Sequence, residues 1–234
     1  RAIAPKVEDR GIDEIYVDLS DNSEETRSLA QRIKDAVFTA TGLSCSIGVT
    51  PNKLLSKIAS DLEKPNGLTI LSLDDVPTRI WPLAAKKVNG IGPKASERLE
   101  RHGIRTIGEL AATPQEFLIR KFGRSTGLWM HRIAHGIDDR PVVTESEPKS
   151  ISRETTFERD LHVRQDKPEL SEKFTSLCLR VGDDLKRKGY ACRTIGIKIR
   201  YADFSVVTRD VTLPVAINDG AEIRKNAGLC LKRV

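Results

Sequence analysis

The sequence predicts a multidomain protein of mixed class, with an α/β part, an all-helical part and an α+β part. Strand-like and helix-like segments alternate up to residue 71, only helical patterns occur between residues 80 and 136, and the order β-α-β-β-α follows residue 149. Alternating elements are typical of α/β layers, whereas segregated elements are typical of other architectures. A chain of 234 residues is long enough for two or three such small domains.

The first 78 residues are predicted to form the α/β part as a partial sheet with helices. Residues 11–19 alternate and are rich in Ile, Val and Tyr, which is typical of a strand. Residues 23–40 are predicted as a helix, because acidic residues follow Ser23 and apolar residues recur at helical spacing. The other elements predicted here are a strand at residues 44–49, a helix at 54–62 and a strand at 68–71.

Residues 79–141 are predicted to form the all-helical domain. The pattern between Ile80 and Gly136 is helical throughout, and the connections are short and contain glycine. The segment from Pro141 to Pro148 carries two prolines and no periodic apolar pattern, so residues 142–148 are predicted as a linker.

Residues 149–234 are predicted to form the α+β unit. Its elements are a strand at 149–157, a helix at 168–188, strands at 194–204 and 206–213, and a helix from Asp219. A final strand would complete this order, so we expect the unit to be incomplete at its C-terminus. The first eight residues resemble the interior of a domain, so we expect a fragment or a processed product.

Composition excludes several classes of protein. Charged residues make up 31% of the chain, and no apolar run approaches the roughly 18 residues of a membrane span. The N-terminus lacks the apolar stretch of a signal peptide. The four cysteines are scattered without metal-type spacing, which favours reduced thiols. We therefore expect a cytoplasmic protein without a membrane partner.

The net charge of +6 is distributed unevenly. Residues 1–78 carry a net charge of −4, whereas residues 79–149 and residues 150–234 carry +5 each. An acidic first part followed by two basic parts is compatible with a metal site attached to a body that holds a polyanion. Ordinary solvated surfaces give the same distribution, so charge alone leaves both interpretations open.

Asp13 and Glu14 are the candidate metal ligands. Phosphoryl transfer uses divalent metals, and Mg²⁺ prefers a few carboxylates together with water and substrate oxygens. Neighbours in a regular strand point to opposite faces, so the pair can share a site only at a strand end, bulge or turn, which Gly11 would facilitate. Two carboxylates are few for two metals, and a further acid is expected from elsewhere. A solvated turn is the alternative.

The segment from Pro51 to Gly67 is a candidate phosphate site. It begins a helix, whose N-terminus offers free backbone N–H groups and a partial positive charge. Lys53, Lys57 and Lys64 can place ammonium groups on a triphosphate. The alternative is a solvated basic helix followed by a Pro-Asn-Gly turn.

Gly90, Ile91 and Gly92 form a Gly-x-Gly turn, with Lys94 at the start of the next predicted helix. Such a turn lets the backbone approach a phosphate closely and is the layout of a helix-hairpin-helix. Contacts of this kind fix position along a nucleic acid without reading bases. A tight turn between helices is the alternative.

Hydroxyl groups and cations recur in the last part of the chain. Ser150, Ser152 and Arg153 lie on the strand predicted at 149–157, whereas Lys198 and Arg200 are two residues apart and therefore share one sheet face. A basic, hydroxyl-rich face can follow a DNA backbone. The small number of aromatic residues argues against a base-stacking platform.

In their order, these motifs closely resemble the Y-family translesion DNA polymerases, in particular the bacterial DNA polymerase IV type. The resemblance extends over nearly the whole chain. It rests on Ile-Asp-Glu-x-Tyr-x-Asp at 12–18, Ser-Ile-Gly-Val-Thr-Pro-Asn-Lys at 46–53, the run from Ala59 to Gly67, Gly-Ile-Gly at 90–92 and the run from Ser150 to Phe157. The first two motifs together are highly specific, whereas Gly-Ile-Gly alone is not.

The resemblance implies template-directed, error-prone translesion DNA synthesis. A nucleotide would pass from a dNTP to the 3′-hydroxyl of a primer on template DNA, with two Mg²⁺ ions in the site. Asp13 and Glu14 would be the palm carboxylates at these metals. Lys64 would contact the triphosphate, with Asn52 and Lys53 near it.

The resemblance also implies the domain roles. Residues 1–78 would be part of the palm, residues 79–141 the thumb, and residues 149–234 the little finger. The thumb would grip duplex DNA through Gly90, Ile91 and Gly92, and the little finger would lay its strands on the phosphates.

The sequence departs from the family pattern in ways that bear on activity. The family has another metal-binding Asp on its first palm strand, fingers with a steric gate, and a C-terminal peptide that binds the sliding clamp, and we expect this chain to lack all three. With the third carboxylate ligand missing, the chain alone is expected to be an inactive fragment. The alternative is a non-catalytic Y-family relative that binds DNA in the damage response, but Asp13, Glu14 and Lys64 favour the enzyme. The motifs upstream of the Gly-x-Gly turn argue against a third hypothesis, a repair nuclease or glycosylase with a helix-hairpin-helix.

Overall fold

The computed structural model describes residues 3–234. The chain divides into two compact units, unit 1 at Arg1–Ser146 and unit 2 at Glu147–Val234. Both units mix helices with small sheets, which confirms the predicted fold class. No helix within residues 3–234 is long and apolar enough to cross a membrane.

Unit 1 begins with an antiparallel β-hairpin. β1 (Val7–Asp9) pairs with β2 (Ile15–Val17). The strand predicted at residues 11–19 is shorter in the structure, because residues 10–14 form the hairpin loop, closed by a hydrogen bond from the Arg10 N–H to the Glu14 carbonyl (2.9 Å). The sequence pattern does not predict β1, because three residues are too few for an alternation to be recognised.

A βαβ unit follows the hairpin. Its strands β3 (Ile47–Val49) and β4 (Leu68–Ile70) are parallel, and α2 (Lys53–Leu62) connects them. Parallel neighbours require such a crossover connection. α1 (Thr26–Thr41) precedes β3 and packs against both strands. The strands of unit 1 therefore form two separate pairs within the described residues and not one sheet.

The first helix begins later than predicted. The carboxylate of Glu25 accepts hydrogen bonds from the backbone N–H groups of Arg27 (3.0 Å) and Ser28 (2.7 Å). A negative group that binds the first N–H groups stabilises a helix N-terminus. Glu25 therefore caps α1, which begins at Thr26 and not at residue 23.

The middle of unit 1 is helical, as predicted. A π-helical turn at Val76–Ile80 and a 3₁₀ turn at Ala85–Lys87 lead into four α-helices. These are α3 (Pro93–Glu100), α4 (Ile107–Ala112), α5 (Gln115–Phe122) and α6 (Arg124–Ala134). The side chains of Thr106 and Glu109 each accept a hydrogen bond from the other's backbone N–H, so Thr106 caps α4.

One hydrophobic core connects the βαβ unit with the helical part of unit 1. Leu55 and Ile58 of α2 belong to the same buried cluster as Leu99 of α3 and Met130 of α6. The core is therefore continuous across residues 78 and 79, and the domain boundary placed there stays a prediction.

Unit 2 consists of an antiparallel strand pair packed with two helices. The elements are α7 (Lys167–Arg187), β5 (Cys192–Arg200), β6 (Val206–Ile217) and α8 (Gly220–Leu231). Ile195 of β5 and Ile223 of α8 belong to its buried core. The helix predicted at 168–188, the two strands and the helix after Asp219 are confirmed within a few residues.

The strand predicted at residues 149–157 is wrong, because this segment has no regular secondary structure. Its side chains bind it to the unit in place of a backbone ladder. Ile151 packs against the core, Arg153 pairs with Asp184 of α7 (2.6 Å), and Glu154 pairs with Lys198 of β5 (2.8 Å).

Candidate functional site

Asp13 and Glu14 lie in the loop of the β1–β2 hairpin, and both residues are exposed. The loop is the kind of irregularity that two neighbouring carboxylates need in order to serve one site. The preceding Ile12 is fully exposed as well. The hairpin therefore presents two adjacent carboxylates to solvent.

Glu14 has a cationic partner on α2. The ammonium of Lys57 forms an ion pair with the Glu14 carboxylate. This hydrogen bond raises the pKa of Lys57, against the opposing effect of burial. Lys57 therefore lies against a candidate metal ligand in the structure.

Lys53, one turn earlier on α2, is directed inward. Its Nζ donates to Glu8 Oε2 (2.6 Å) and to the Pro141 carbonyl (2.8 Å), and both Lys53 and Glu8 are buried. The same carboxylate accepts the N–H of Val143 (2.8 Å). Glu8 therefore joins β1, α2 and the chain after α6. The role of Lys53 at a nucleotide stays a prediction.

The pKa of Glu8 reflects two opposing influences. Burial would raise the pKa, but the hydrogen bonds from Lys53 and from the Val143 N–H outweigh burial and lower it. The carboxylate is therefore ionised in the folded protein at neutral pH, and the pair with Lys53 is a buried salt bridge.

The N-terminus of α2 is capped by protein groups. Asn52 Oδ1 accepts the Leu55 N–H (3.0 Å), and the Asn52 amide donates to the Gly136 carbonyl (2.8 Å). The Asp138 carboxylate accepts the Leu54 N–H (3.0 Å). The expectation that this helix end offers free N–H groups to a phosphate is therefore wrong for these two donors. The role of Asn52 at a nucleotide stays a prediction.

Lys64 lies in the turn between α2 and β4. Its side chain is 56% exposed, and its ammonium is 2.5 Å from Asp61 Oδ1. Of the three side chains predicted at the nucleotide, Lys64 is the one that presents its polar group at the surface, since Asn52 and Lys53 are occupied by internal contacts.

The Gly-x-Gly turn connects the 3₁₀ turn with α3, so the first helix of the predicted helix-hairpin-helix is a single 3₁₀ turn. Gly90 has φ 109°, and a Cβ there would lie 2.8 Å from the Trp129 ring, so only glycine fits. The buried Ile91 anchors the turn, whereas Gly92 and Lys94 are exposed. Exposed backbone and a cation are therefore available here to a partner.

Lys198 and Arg200 are exposed on one face of β5, as predicted from their spacing. Thr194 and Thr212 face each other across the strands on that side, with their hydroxyl oxygens 3.0 Å apart. This face of unit 2 therefore combines cations with hydroxyl groups.

The residues predicted as DNA contacts on the segment before α7 divide into two kinds. Ser150 and Ser152 are exposed. Arg153 binds Asp184, which together with Arg187 lies in an ion cluster on α7. The guanidinium of Arg153 is therefore engaged within unit 2, where it fixes the segment that carries the two serines.

Several contacts of the candidate site are not predicted by sequence reasoning. Glu8 and Asp138 lie far along the chain from the α2 groups that they bind, so no local pattern indicates them. The i,i+4 spacing of Lys53 and Lys57 indicates a shared face, but not that it contacts the hairpin. Within residues 3–234 no group of three or more His, Cys, Asp or Glu residues is arranged to hold a metal.

Three family models match the chain. Residues 1–61 match the impB/mucB/samB family, and residues 148–234 match the impB/mucB/samB family C-terminal domain. Between them, residues 86–138 match the thumb domain of DNA polymerase-iota. The matches therefore cover the hairpin loop, the Gly-x-Gly turn and unit 2 in order.

Curated relatives match over nearly the whole chain. A DNA polymerase IV of Methanoculleus marisnigri is 42% identical over 231 residues, which are 97% of this chain and 63% of the relative. A DNA polymerase IV of Streptomyces coelicolor is 34% identical over 100% of this chain and 49% of the relative. A DNA polymerase IV of Streptococcus pyogenes is 38% identical over 95% of this chain and 61% of the relative. The chain thus spans between 49% and 63% of the length of these relatives.

A solved structure has the same fold. A Y-family DNA polymerase chimera superposes with a TM-score of 0.80 over 99% of this chain and 67% of the chimera. The two sequences are 24% identical, so this similarity is one of fold.

Proposed function

Because the chain belongs to the impB/mucB/samB family, the Y family of DNA polymerases, we propose that it carries part of the active site and two DNA-binding segments of a translesion polymerase. The proposed reaction is template-directed, error-prone transfer of a nucleotide from a dNTP to the 3′-hydroxyl of a primer. The observation that carries this proposal is the hairpin loop, which presents Asp13 and Glu14 at the surface with Lys57 against Glu14.

Asp13 and Glu14 are the residues that would hold Mg²⁺. Proteins commonly bind this ion through one or two carboxylates together with water and substrate phosphates, so the donor set fits. When bound, the metal supplies charge neutralisation at the attacking and leaving oxygens. Lys57 keeps the Glu14 carboxylate oriented beside α2, and Lys64 is proposed to contact the triphosphate. Asn52 and Lys53 would act near the nucleotide through the helix that they begin.

Asp13→Ala and Glu14→Ala are each expected to weaken divalent-metal binding at the hairpin loop. Mn²⁺ is a suitable probe, because it broadens the NMR signals of nearby amides. We expect selective broadening of the residue 11–16 amides in the unmodified chain and much less in either variant. The control is Asp74→Ala, which removes one carboxylate of the adjacent pair Asp74 and Asp75. We expect it to leave the broadening of the residue 11–16 amides unchanged. Equal broadening in all four proteins would contradict the assignment.

The DNA-binding segments are proposed to be the turn at Gly90, Ile91 and Gly92 with Lys94, and the face of unit 2 with Lys198 and Arg200. The exposed backbone and the cations support phosphate contacts, which position a duplex without reading its sequence. Ser150 and Ser152 add hydroxyl donors, and Arg153 holds their segment against α7.

The purified chain is expected to bind duplex DNA weakly, with an affinity that falls steeply between about 50 and 200 mM salt, because phosphate contacts release counterions. Fluorescence anisotropy of a labelled duplex measures this dependence. Lys198→Ala should reduce the slope of log affinity against log salt by about one. Lys186→Ala, on α7 and paired with Asp219, serves as the matched control. An affinity that is independent of salt would count against both segments.

The chain by itself is expected not to extend a primer. Two carboxylates are present in the hairpin loop, and within residues 3–234 no third acid joins them in a metal-binding cluster. Primer extension with Mg²⁺, all four dNTPs and a primed template measures this directly. Extension at ordinary polymerase rates by the purified chain would contradict the prediction.

A second candidate function is a non-catalytic DNA-binding accessory protein. The exposed Lys94, Lys198 and Arg200 are compatible with it, because phosphate contacts need no metal. The exposed Asp13–Glu14 pair and Lys64 favour the polymerase, and the Mn²⁺ experiment distinguishes the two, since an accessory protein has no need of a metal at the loop.

A further inference from the structure

The turn that carries Lys64 is held from the inside by a buried lysine. Lys34 lies on α1, and 8% of its surface is exposed. Its Nζ donates to the Cys45 carbonyl (2.7 Å), the Asn66 carbonyl (2.7 Å) and Asn66 Oδ1 (2.7 Å), and it lies 3.2 Å from the Gly67 carbonyl. Three of these four oxygens belong to the turn that begins at Lys64.

The buried ammonium of Lys34 requires the turn to supply hydrogen-bond acceptors. An ammonium group has three protons to donate, and burying its charge is costly unless strong acceptors are in place. All four oxygens around Lys34 Nζ are neutral. The charge is therefore satisfied only while the turn holds its carbonyls and the Asn66 amide in this arrangement, so the buried lysine and the shape of the turn stabilise each other.

The backbone of the turn needs such support. Asn66 has φ 58°, a left-handed conformation that most side chains adopt rarely and asparagine adopts more readily. Gly67 connects the turn to β3, because its carbonyl accepts the Ile47 N–H (3.0 Å) and its N–H donates to Ser46 Oγ (3.1 Å). Lys34 thus fastens α1, the start of β3 and the turn to one another.

We propose that Lys34 is a positioning residue for nucleotide binding, which fixes the turn at residues 64–67 and thereby sets where the Lys64 ammonium, paired with Asp61 in this structure, can meet a triphosphate. The nucleotide part of this inference rests on the proposed function. Lys34 does not itself reach the ligand, because its protons are occupied by the turn and by Cys45. A long exposed side chain binds more tightly when its backbone is already ordered, because less conformational entropy is lost.

The first test needs no nucleotide. Amide hydrogen exchange reports local opening, and Lys34→Met should accelerate exchange at Gly67 and Ile47 by about tenfold or more relative to the rest of unit 1. The control is Arg32→Met, which removes an exposed cation of α1 that pairs with Glu24 just before the helix. It should leave the exchange rates of the Gly67 and Ile47 amides unchanged. Lys34→Arg keeps the charge and should restore part of the protection. Unchanged exchange in Lys34→Met would overturn the inference.

The second test asks whether Lys34 acts through Lys64. Binding of dATP with Mg²⁺ is measured by calorimetric titration for the unmodified chain, Lys34→Met, Lys64→Met and the double variant. Each single change should lower the affinity by roughly three- to tenfold, the range of one lost charge-assisted contact. The double variant should bind no more weakly than Lys64→Met, because both changes remove the same ammonium contact. Additive losses, or no loss in Lys34→Met, would overturn the nucleotide part.

A second variant, Asn66→Gly, removes the acceptor of the Lys34–Asn66 hydrogen bond instead of its donor. Asn66→Gly tolerates φ 58° and removes the side chain that carries the Oδ1 acceptor, so it tests the contact if Lys34→Met does not fold. Faster exchange at Gly67 with weaker dATP binding is expected, and unchanged values would overturn the inference. If Lys64→Met leaves dATP affinity unchanged, the nucleotide assignment of Lys64 fails, while faster exchange in Lys34→Met would still support its hold on the turn.

Discussion

Gly48→Ala is expected to destabilise unit 1 by about 3 kcal/mol or more, because β3 touches the backbone of α2 at this residue. A Cβ on Gly48 would lie 2.3 Å from the Ser56 carbonyl oxygen, 2.5 Å from the Ser60 nitrogen and 2.8 Å from Ala59 Cβ. Backbone atoms of a helix cannot rotate away as a flexible side chain can. The strand and the helix must therefore separate, and the core that they share opens.

Urea unfolding followed by circular dichroism measures this effect as a shift of the transition midpoint. Gly92→Ala is the matched control, because a Cβ there meets nothing within 4 Å and the φ of −76° suits any residue. We expect a change within about 0.5 kcal/mol for the control. An unchanged midpoint for Gly48→Ala would show that β3 and α2 are farther apart than in the structure.

Lys53→Met is expected to destabilise unit 1 by about 3–5 kcal/mol, because it leaves the buried Glu8 carboxylate without its main partner. Glu8 would keep the Val143 N–H and a distant Arg10 guanidinium at 3.7 Å. Adding Glu8→Gln to Lys53→Met removes the unpaired charge and should restore much of the lost stability. A double variant as unstable as Lys53→Met, or a single variant as stable as the unmodified chain, would contradict this account.

The same pair predicts a pH dependence. The folded-state pKa of Glu8 is lowered, so its stabilising contribution is fully present above the unfolded-state pKa and is lost as the pH falls through the folded-state value. The free energy of unfolding of the unmodified chain should therefore fall toward that of Glu8→Gln below about pH 4. Glu97→Gln, which removes an exposed partner of Arg101, is the control and should show little effect.

Periodic elements with clear ends are predictable from this sequence, and short or irregular ones are not. α2 and α7 combine regular apolar spacing with recognisable starts, and the structure places them within one residue of the prediction. β1 has too few residues for a pattern. The run from Ser150 to Phe157 carries apolar residues only at Ile151 and Phe157, so it has no clear strand period, and side chains rather than a backbone ladder bind it to α7 and β5.

In the candidate site, too, some features are predictable from the sequence and others are not. The sequence predicts Asp13 and Glu14 on a strand and requires a strand end, bulge or turn if they are to share a site, because neighbours in a regular strand point to opposite faces. The structure places them in a loop, and their role at a metal stays a prediction. The different surroundings of Lys53 and Lys57 could not be predicted, since both are lysines on the same helix face. Lys53 is buried only because Glu8, 45 residues earlier, and Pro141, 88 residues later, meet it in the folded chain.

The carboxylate of Glu8 also sets the length of the tether between the two units. Because Glu8 binds the Val143 N–H, the free part of the connection begins after Val143 and not at the end of α6. The Glu8 side chain, in the first strand of unit 1, thereby shortens the free connection between the two folded units, and a shorter tether explores a smaller volume.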